Sequence, residues 1–347
     1  MNDISRIENK LYLPSNGYLD MNMIMSNEYT FNFVVSARGL GKTYGALLYL
    51  LETGEKFILV RRSEDEMILC AGSETNPFNE VASDHGYNVE IKPLNKHMYG
   101  VYVNEEKNPQ GLIVALTTFQ KFRGMNFLST KYIVFDEFIP QENVKRLKGE
   151  GEAVLQMYET VNRNRELKGE MPVKLVCMAN SLNINNDTLV AFGVVDILQR
   201  MKKMKREAYI DNYTDMLVIR PAKSPISKKK EETALYKIKN SKFNKMALNN
   251  DFADYYEKNI RSLSLSDFDW KMSFNNMNFY KHKSERKWYV TETRKGMITA
   301  NDTYNDTDFE RTAFKKKYYH LYNSYMNGRI VFEEASLEVC FINLFKI

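Results

Sequence analysis

Cysteine is scarce: Cys70, Cys177 and Cys340 are the only three in 347 residues, and they stand far apart. Three scattered thiols exclude a disulfide framework and a cysteine zinc site, and they suit a reducing cytoplasm. The opening residues, MNDISRIENK, have no apolar core, so they are not expected to act as a secretory signal. No apolar run approaches the roughly 20 residues that a membrane-spanning helix needs. There is no internal repeat and no low-complexity tract. What remains is ordinary for a soluble globular chain, with 44% hydrophobic and 27% charged residues. The length predicts two domains, or one large and one small.

The net charge of +5 is unevenly placed. Residues 201–347 carry 28 Lys and Arg against 19 Asp and Glu, a net +9, whereas residues 1–200 carry 21 against 25, a net −4. The asymmetry points to a polyanion partner for the second half, with a solvated basic surface as the alternative.

The first 200 residues repeat one pattern, a short β-rich apolar run followed by a polar or helical stretch. The runs are YTFNFVVSA (29–37), KFILVRR (56–62), GLIVALTTF (111–119), KYIVFDEF (131–138) and VKLVCMANS (173–181). They are near-continuous rather than alternating, which predicts strands buried on both faces of a mostly parallel sheet. KTYGALLYLLETGE has helical spacing and ends near Gly54, and EAVLQMYETVNRNRE (152–166) is a second helix. The α/β layout is interrupted by a hairpin insertion before residue 111, with Asn108-Pro109 at a turn. Around residues 200–250 the chain turns basic, with helical propensity. From about 254 it reads as antiparallel strands and then helix, a small α+β domain. The expected division is 1–205, 206–253 as a basic helical linker, and 254–347.

One further absence is local. VVSARGLGKT (34–43) reads as a phosphate-binding loop, G-x-x-x-x-G-K-[ST], with Ser36 where the first glycine should stand. The loop follows a strand and opens a helix, the context that the motif requires. Backbone N–H groups of Ser36, Ala37, Arg38, Gly39, Leu40 and Gly41 would hold phosphates at the helix N-terminus. Lys42 would reach the β/γ-phosphates and Thr43 would hold Mg²⁺. Ser36 is small enough for its position, and Arg38 adds a charge beside the phosphates.

IVFDEF (133–138), about 94 residues after the loop lysine, is an apolar strand that ends in two acids. Asp136 would bind Mg²⁺, and Glu137 would act on the attacking water as a general base. The alternative is a strand end with two solvated acids. The spacing, with two strands between, suits ATPases of the additional-strand, catalytic-glutamate class. Asn180 ends a buried strand, where it could hydrogen-bond the γ-phosphate or the water, or simply start a turn. Arg163 and Arg165 lie near a helix end; either could be an arginine finger supplied to a ring neighbour, or a solvated arginine.

FNFVVSARGLGKT, ILVRR, YIVFDEFI, TVNRNRE, MAN and YMNGRIVF, in this order and spacing, resemble the DNA-packaging ATPases of small phi29-like tailed phages. The resemblance covers most of the chain. It implies a P-loop, RecA-like ATPase domain of the additional-strand class, and a C-terminal domain like an inactive RNase H-type nuclease. Divergent loops carrying an arginine are common in that family, so the missing glycine is no obstacle. The implied protein uses ATP and Mg²⁺ to pull double-stranded DNA into a procapsid, as a pentameric homo-oligomer on the portal (connector). It acts in the host cytoplasm and transiently at the portal vertex, without a membrane and outside the mature virion; a scaffold RNA bridging ring and portal is left open. Lys42, Thr43, Asp136 and Glu137 match the family's Walker residues, Asn180 its sensor and Arg163 its trans-acting finger. Arg123 stands where the family has a second trans-acting basic residue, a lysine. Arg61 and Arg62 match a double arginine to which no contact is assigned.

Asp267, Asp269, Asp302, Asp306 and Asp308 could bind two nuclease metals, although solvated loop acids fit a packager of unit-length genomes better. DNA gripped without sequence preference requires phosphate contacts. The candidates are Lys202, Lys203 and Lys205, the lysines of 228–230 and 237–245, and Lys315 to Lys317. Tyr236 and Phe243 are interleaved with them, and core packing is their expected use. Three rivals share the loop: a helicase or recombinase-like ATPase, a terminase-like enzyme with a live nuclease, and a nucleotide switch without turnover.

Overall fold

The structure is a computed structural model that describes residues 3–140, 147, 149–180, 186–221, 224–234, 259–295 and 302–345. It divides into two compact units, Met1–Asn183 with Arg200–Phe252, and Ile184–Gln199 with Ala253–Ile347.

In the first unit all five apolar runs fold as strands. In chain order the strands are β1 (Phe31–Ser36), β2 (Phe57–Arg61), β3 (Val89–Asn95), β4 (Met98–Val103), β5 (Gly111–Ala115), β6 (Tyr132–Asp136), β7 (Lys174–Asn180), β8 (Ala208–Asp211) and β9 (Met216–Ile219). They form one sheet in the order β3-β4-β5-β2-β6-β7-β1-β9-β8. From β5 to β9 every neighbouring pair is parallel, and β3-β4 and β8 add antiparallel edges. The central strands carry apolar residues on both faces because both faces are covered. On one face Val34, Leu59, Val134 and Val176 pack with Leu47, Leu50 and Leu51 of the helix Lys42–Thr53. On the other, Phe33 and Phe135 meet Phe138, with ring centroids 6.1 Å apart in each pair. Each such side chain removed from water contributes about 1.5–3 kcal/mol.

Helix ends follow their sequence signals. The helix Lys42–Thr53 stops at Gly54, whose φ of +67° puts it in the left-handed region where glycine costs least. The helix Glu150–Asn162 is shorter than 152–166 predicts, because Arg163 and Asn164 leave helical backbone with φ of +46° and +57°. The β3–β4 hairpin is present and reverses between Asn95 and Met98. Asn108-Pro109 lies in the next reversal, between the antiparallel strands β4 and β5.

The stretch expected as a helical linker, 206–253, differs from its reading. Residues 208–219 are β8 and β9, an edge hairpin of the large sheet, and Pro225–Glu231 is the only helix among the described residues of that stretch. Composition misleads here because the lysines flank the hairpin, while Met216, Leu217, Val218 and Ile219 are buried beside β1.

The second unit has its own core. Strands β10 (Phe268–Phe274), β11 (Met277–His282), β12 (Trp288–Thr291), β13 (Thr303–Tyr304) and β14 (Ile330–Phe332) form a sheet ordered β13-β10-β11-β12-β14. The antiparallel β10-β11-β12 meander agrees with the alternation in the sequence. Phe314 and Phe341, from the helices Asp308–Lys317 and Ala335–Phe345, pack with Phe279 on this sheet.

Candidate active site

Parallel order brings the C-terminal ends of β1, β6 and β7 side by side, the edge where α/β sheets bind ligands. Ser36 at the end of β1 pairs in register with Asn180 at the end of β7, and Asp136 at the end of β6 pairs with Met178. A cavity of about 530 Å³ lies over this edge, lined by the loop from Arg38 to Thr43 and by Asp136, Glu137 and Asn180.

Lys42 is 7% exposed, and its Nζ donates to Ser36 Oγ (2.7 Å), the Ala37 carbonyl (3.1 Å) and Asn180 Oδ1 (3.1 Å). Burial pulls its ammonium down to about 8; Lys230 and Arg38 act in the same direction, while Asp136 and Glu137 oppose it. An ammonium with so little solvation has a strong electrostatic incentive to meet an anion. The Ser36 hydroxyl, at the position where the motif has glycine, accepts from the loop lysine. Thr43 Oγ1 donates to Asp136 Oδ2 at 3.0 Å, which puts two hard oxygen donors together.

Glu137 is the exposed member of the acid pair, and its backbone is left-handed, with φ of +54°. Non-glycine residues rarely occupy that region, and when they do they cluster at functional sites. Its N–H donates to Asp136 Oδ1 at 3.0 Å.

The double arginine splits into two roles. Arg61 Nη1 lies 3.2 Å from Asp136 Oδ2 and 3.4 Å from Glu137 Oε2, so β2 supplies a cation to both acids. Arg62 turns to the other face and makes a bidentate pair with buried Glu150, through Nε (2.6 Å) and Nη2 (3.1 Å). Alternation along a strand sends adjacent residues to opposite faces, which is the signal that separates them.

Arg123, Arg163 and Arg165 do not line the cavity. They gather around the 123–130 loop. Arg163 donates to the carbonyls of Arg123 and Met125, and the Arg123 guanidinium donates to Gln156 Oε1 at 3.0 Å. Arg165 is buried and donates to the carbonyls of Phe127, Leu128 and Thr130, which makes it a strut for that loop. Tyr44, Pro77 and Glu80 also line the cavity and carry no motif. Tyr44 follows Thr43 in the chain, and the packing of the helices Lys42–Thr53 and Phe78–His85 on one sheet face brings Pro77 and Glu80 there.

The candidate DNA lysines scatter. Lys317 pairs with Asp302, and Lys230 sits on the carbonyls of Arg38 and Gly39. The lysines of 237–245, Tyr236, Phe243 and the Lys228 side chain lie outside the described residues. The aspartates proposed for a nuclease do not converge either. Asp306 pairs with Arg311 and Asp302 with Lys317 and Tyr318, and no cluster of three potential metal ligands occurs among the described residues.

The chain matches the model of the Podovirus DNA encapsidation protein (Gp16) family over residues 14–346. It is 25% identical to the DNA packaging protein of Bacillus phage phi29 over 341 residues, covering 93% of this chain and 95% of that one. The DNA packaging protein of Bacillus phage B103 is likewise 25% identical, with 93% and 98% covered. Among solved structures, the bacteriophage Phi-29 viral genome packaging motor assembly shares the fold, with a TM-score of 0.63 at 20% identity, and 95% of this chain and 99% of that chain are covered. The family match takes in the loop after β1, the acids at the end of β6 and the second sheet together, and the chain belongs to the Podovirus DNA encapsidation protein (Gp16) family.

Proposed function

We propose that this chain is an ATPase that translocates double-stranded DNA into a phage procapsid, working as a homomeric ring on the portal in the host cytoplasm. The observation that carries this reading is the meeting of Lys42, Thr43, Asp136, Glu137 and Asn180, from three strand ends, around one cavity. The position of β7 between β1 and β6 supports the additional-strand class of P-loop ATPase. The relatives named as DNA packaging proteins, and the solved packaging motor, supply the biological context. Among the described residues no helix is long and apolar enough to cross a membrane.

The donor set fits Mg²⁺: Thr43 and Asp136 are hard oxygen ligands already within 3.0 Å of each other. Thr43 and Asp136 would hold the ion, which would neutralise charge on the phosphates. The residues of the chain do the rest. Lys42 exchanges its contacts with Ser36, Ala37 and Asn180 for phosphate oxygens. Asn180, released, can orient the γ-phosphate or the attacking water. Glu137 accepts the proton of that water, and Arg61 holds its carboxylate from β2. Arg163 and Arg123, remote from their own cavity, would serve the cavity of a neighbouring subunit, so that assembly completes the site.

We read the second unit as a nuclease-like fold that does not cut, because its aspartates are engaged separately. DNA contacts would come from exposed lysines such as Lys203 and Lys316. A fragment starting at 206 would remove β8 and β9 from their sheet, so the salt dependence of DNA binding belongs on the full chain. A slope near zero there would refute phosphate gripping.

Binding of MgATP to wild type and to Glu137→Gln tests the site. Retained binding with lost hydrolysis is expected. A Glu137→Gln chain that still turns over ATP at the wild-type rate would contradict the assigned base.

A further inference from the structure

Three consecutive carbonyls of the phosphate loop are held from behind. Lys230 Nζ donates to the carbonyl of Arg38 at 2.8 Å and to that of Gly39 at 2.6 Å. The Leu19 N–H donates to the carbonyl of Leu40 at 3.0 Å. A trans peptide is planar, and its C=O and N–H point in opposite directions. Fixing these carbonyls therefore fixes the N–H groups of Gly39, Leu40 and Gly41, aimed away from Lys230 and Leu19. Those three residues line the cavity. Consecutive N–H groups beside a helix N-terminus are the element that receives phosphate.

The loop needs such support. Gly39 and Gly41 have φ of +65° and +81°, and glycine has the widest backbone freedom of any residue. The support is built as one piece. Ser224 caps the helix Pro225–Glu231 and donates to the Gly17 carbonyl at 2.9 Å. Gly17 lies so close to Pro225 that a Cβ there would fall 2.8 Å from the proline Cβ, and Tyr18 packs against Gly41. A Cβ on Gly39 would fall 2.3 Å from Lys230 Nζ, so the ammonium and a bare glycine fit each other.

We propose that Lys230 is a positioning residue for the phosphate site, an external clamp that orients the loop N–H groups before nucleotide arrives. This rests on the reading that the cavity takes a nucleoside triphosphate. It also gives this lysine, a candidate for DNA contact from charge alone, a different partner. Preorganisation of this kind acts on affinity by lowering the ordering cost of binding.

The test uses full-length wild type, Lys230→Met and Lys230→Arg. Without nucleotide, amide hydrogen exchange should speed up in Lys230→Met at Leu19, whose N–H is bonded to the Leu40 carbonyl, and stay unchanged in β1 and β7. With MgATP, Lys230→Met should bind about tenfold more weakly and raise KM, with kcat within about twofold. Lys230→Arg, which keeps a cation of similar reach, should recover part of both effects. Unchanged exchange at Leu19 overturns the clamp. So does unchanged affinity, or loss of protection throughout β1 and β7 in both variants, which would make Lys230 a general folding residue. A wild-type chain that binds no MgATP contradicts the nucleotide reading instead, and the exchange measurement still decides the clamp.

Discussion

Replacing Arg62 by Met should destabilise the first unit severely while leaving the chemistry of the cavity intact. Both side chains of the Arg62–Glu150 pair are 3% exposed, and two hydrogen bonds of 2.6 and 3.1 Å join them. Removing one partner of such a buried pair costs about 3–5 kcal/mol, and any other contact of Glu150 lowers that figure. Glu150 opens the helix Glu150–Asn162, so the helix dipole compensates part of its charge, up to about 1 kcal/mol. The expected cost of Arg62→Met is therefore at the lower end, about 3 kcal/mol. Fluorescence is the wrong probe, since both tryptophans, Trp270 and Trp288, lie in the second unit. Hydrogen exchange in β6 and β7 reads the right unit, and protection should fall about 100-fold. The double variant Arg62→Met/Glu150→Leu should regain most of the loss, because an apolar pair of similar volume has no charge to desolvate. If Arg62→Met stays within about 1 kcal/mol of wild type, the pair is solvated and the reasoning fails.

Other outcomes follow from the same geometry. Arg61→Met should lower kcat about ten- to a hundredfold at nearly constant nucleotide affinity, because Glu137 loses the cation that holds its carboxylate; steady-state kinetics checks this. Arg163→Ala should cost about 10³-fold or more in turnover of the assembled protein and little in the monomer, as mixing experiments at two protein concentrations will reveal. Burial raises the Glu338 carboxyl to about 7 in the second unit. The unfolded chain then ionises first, so between about 4.5 and 7 stability should fall as pH rises, by about 3 kcal/mol in all. Glu338→Gln should flatten that slope, read by tryptophan fluorescence against urea at several pH values.

The five buried strands and the helix Lys42–Thr53 were legible because burial on both sheet faces leaves unbroken apolar runs, and because Gly54 marks a helix end. The loop from Ser36 to Thr43 and the acid pair were legible because backbone chemistry confines them to strand ends. The β8–β9 hairpin was not. Its strands are four residues each, and flanking lysines dominated the local composition. Arg61 and Arg62 were visible as a pair, but their opposite fates depend on which sheet face each meets. Lys230 could not be paired with Gly39 from sequence, since 191 residues separate them and only the packing of Pro225 on Gly17 brings them together.

ATP turnover with and without long double-stranded DNA, for wild type and Glu137→Gln at a concentration that permits assembly, tests the central claim most directly. DNA-stimulated hydrolysis that Glu137→Gln abolishes is the predicted result. Turnover by wild type that ignores DNA, in the presence of portal-bearing procapsids as well as without them, would contradict a DNA translocase built on this site.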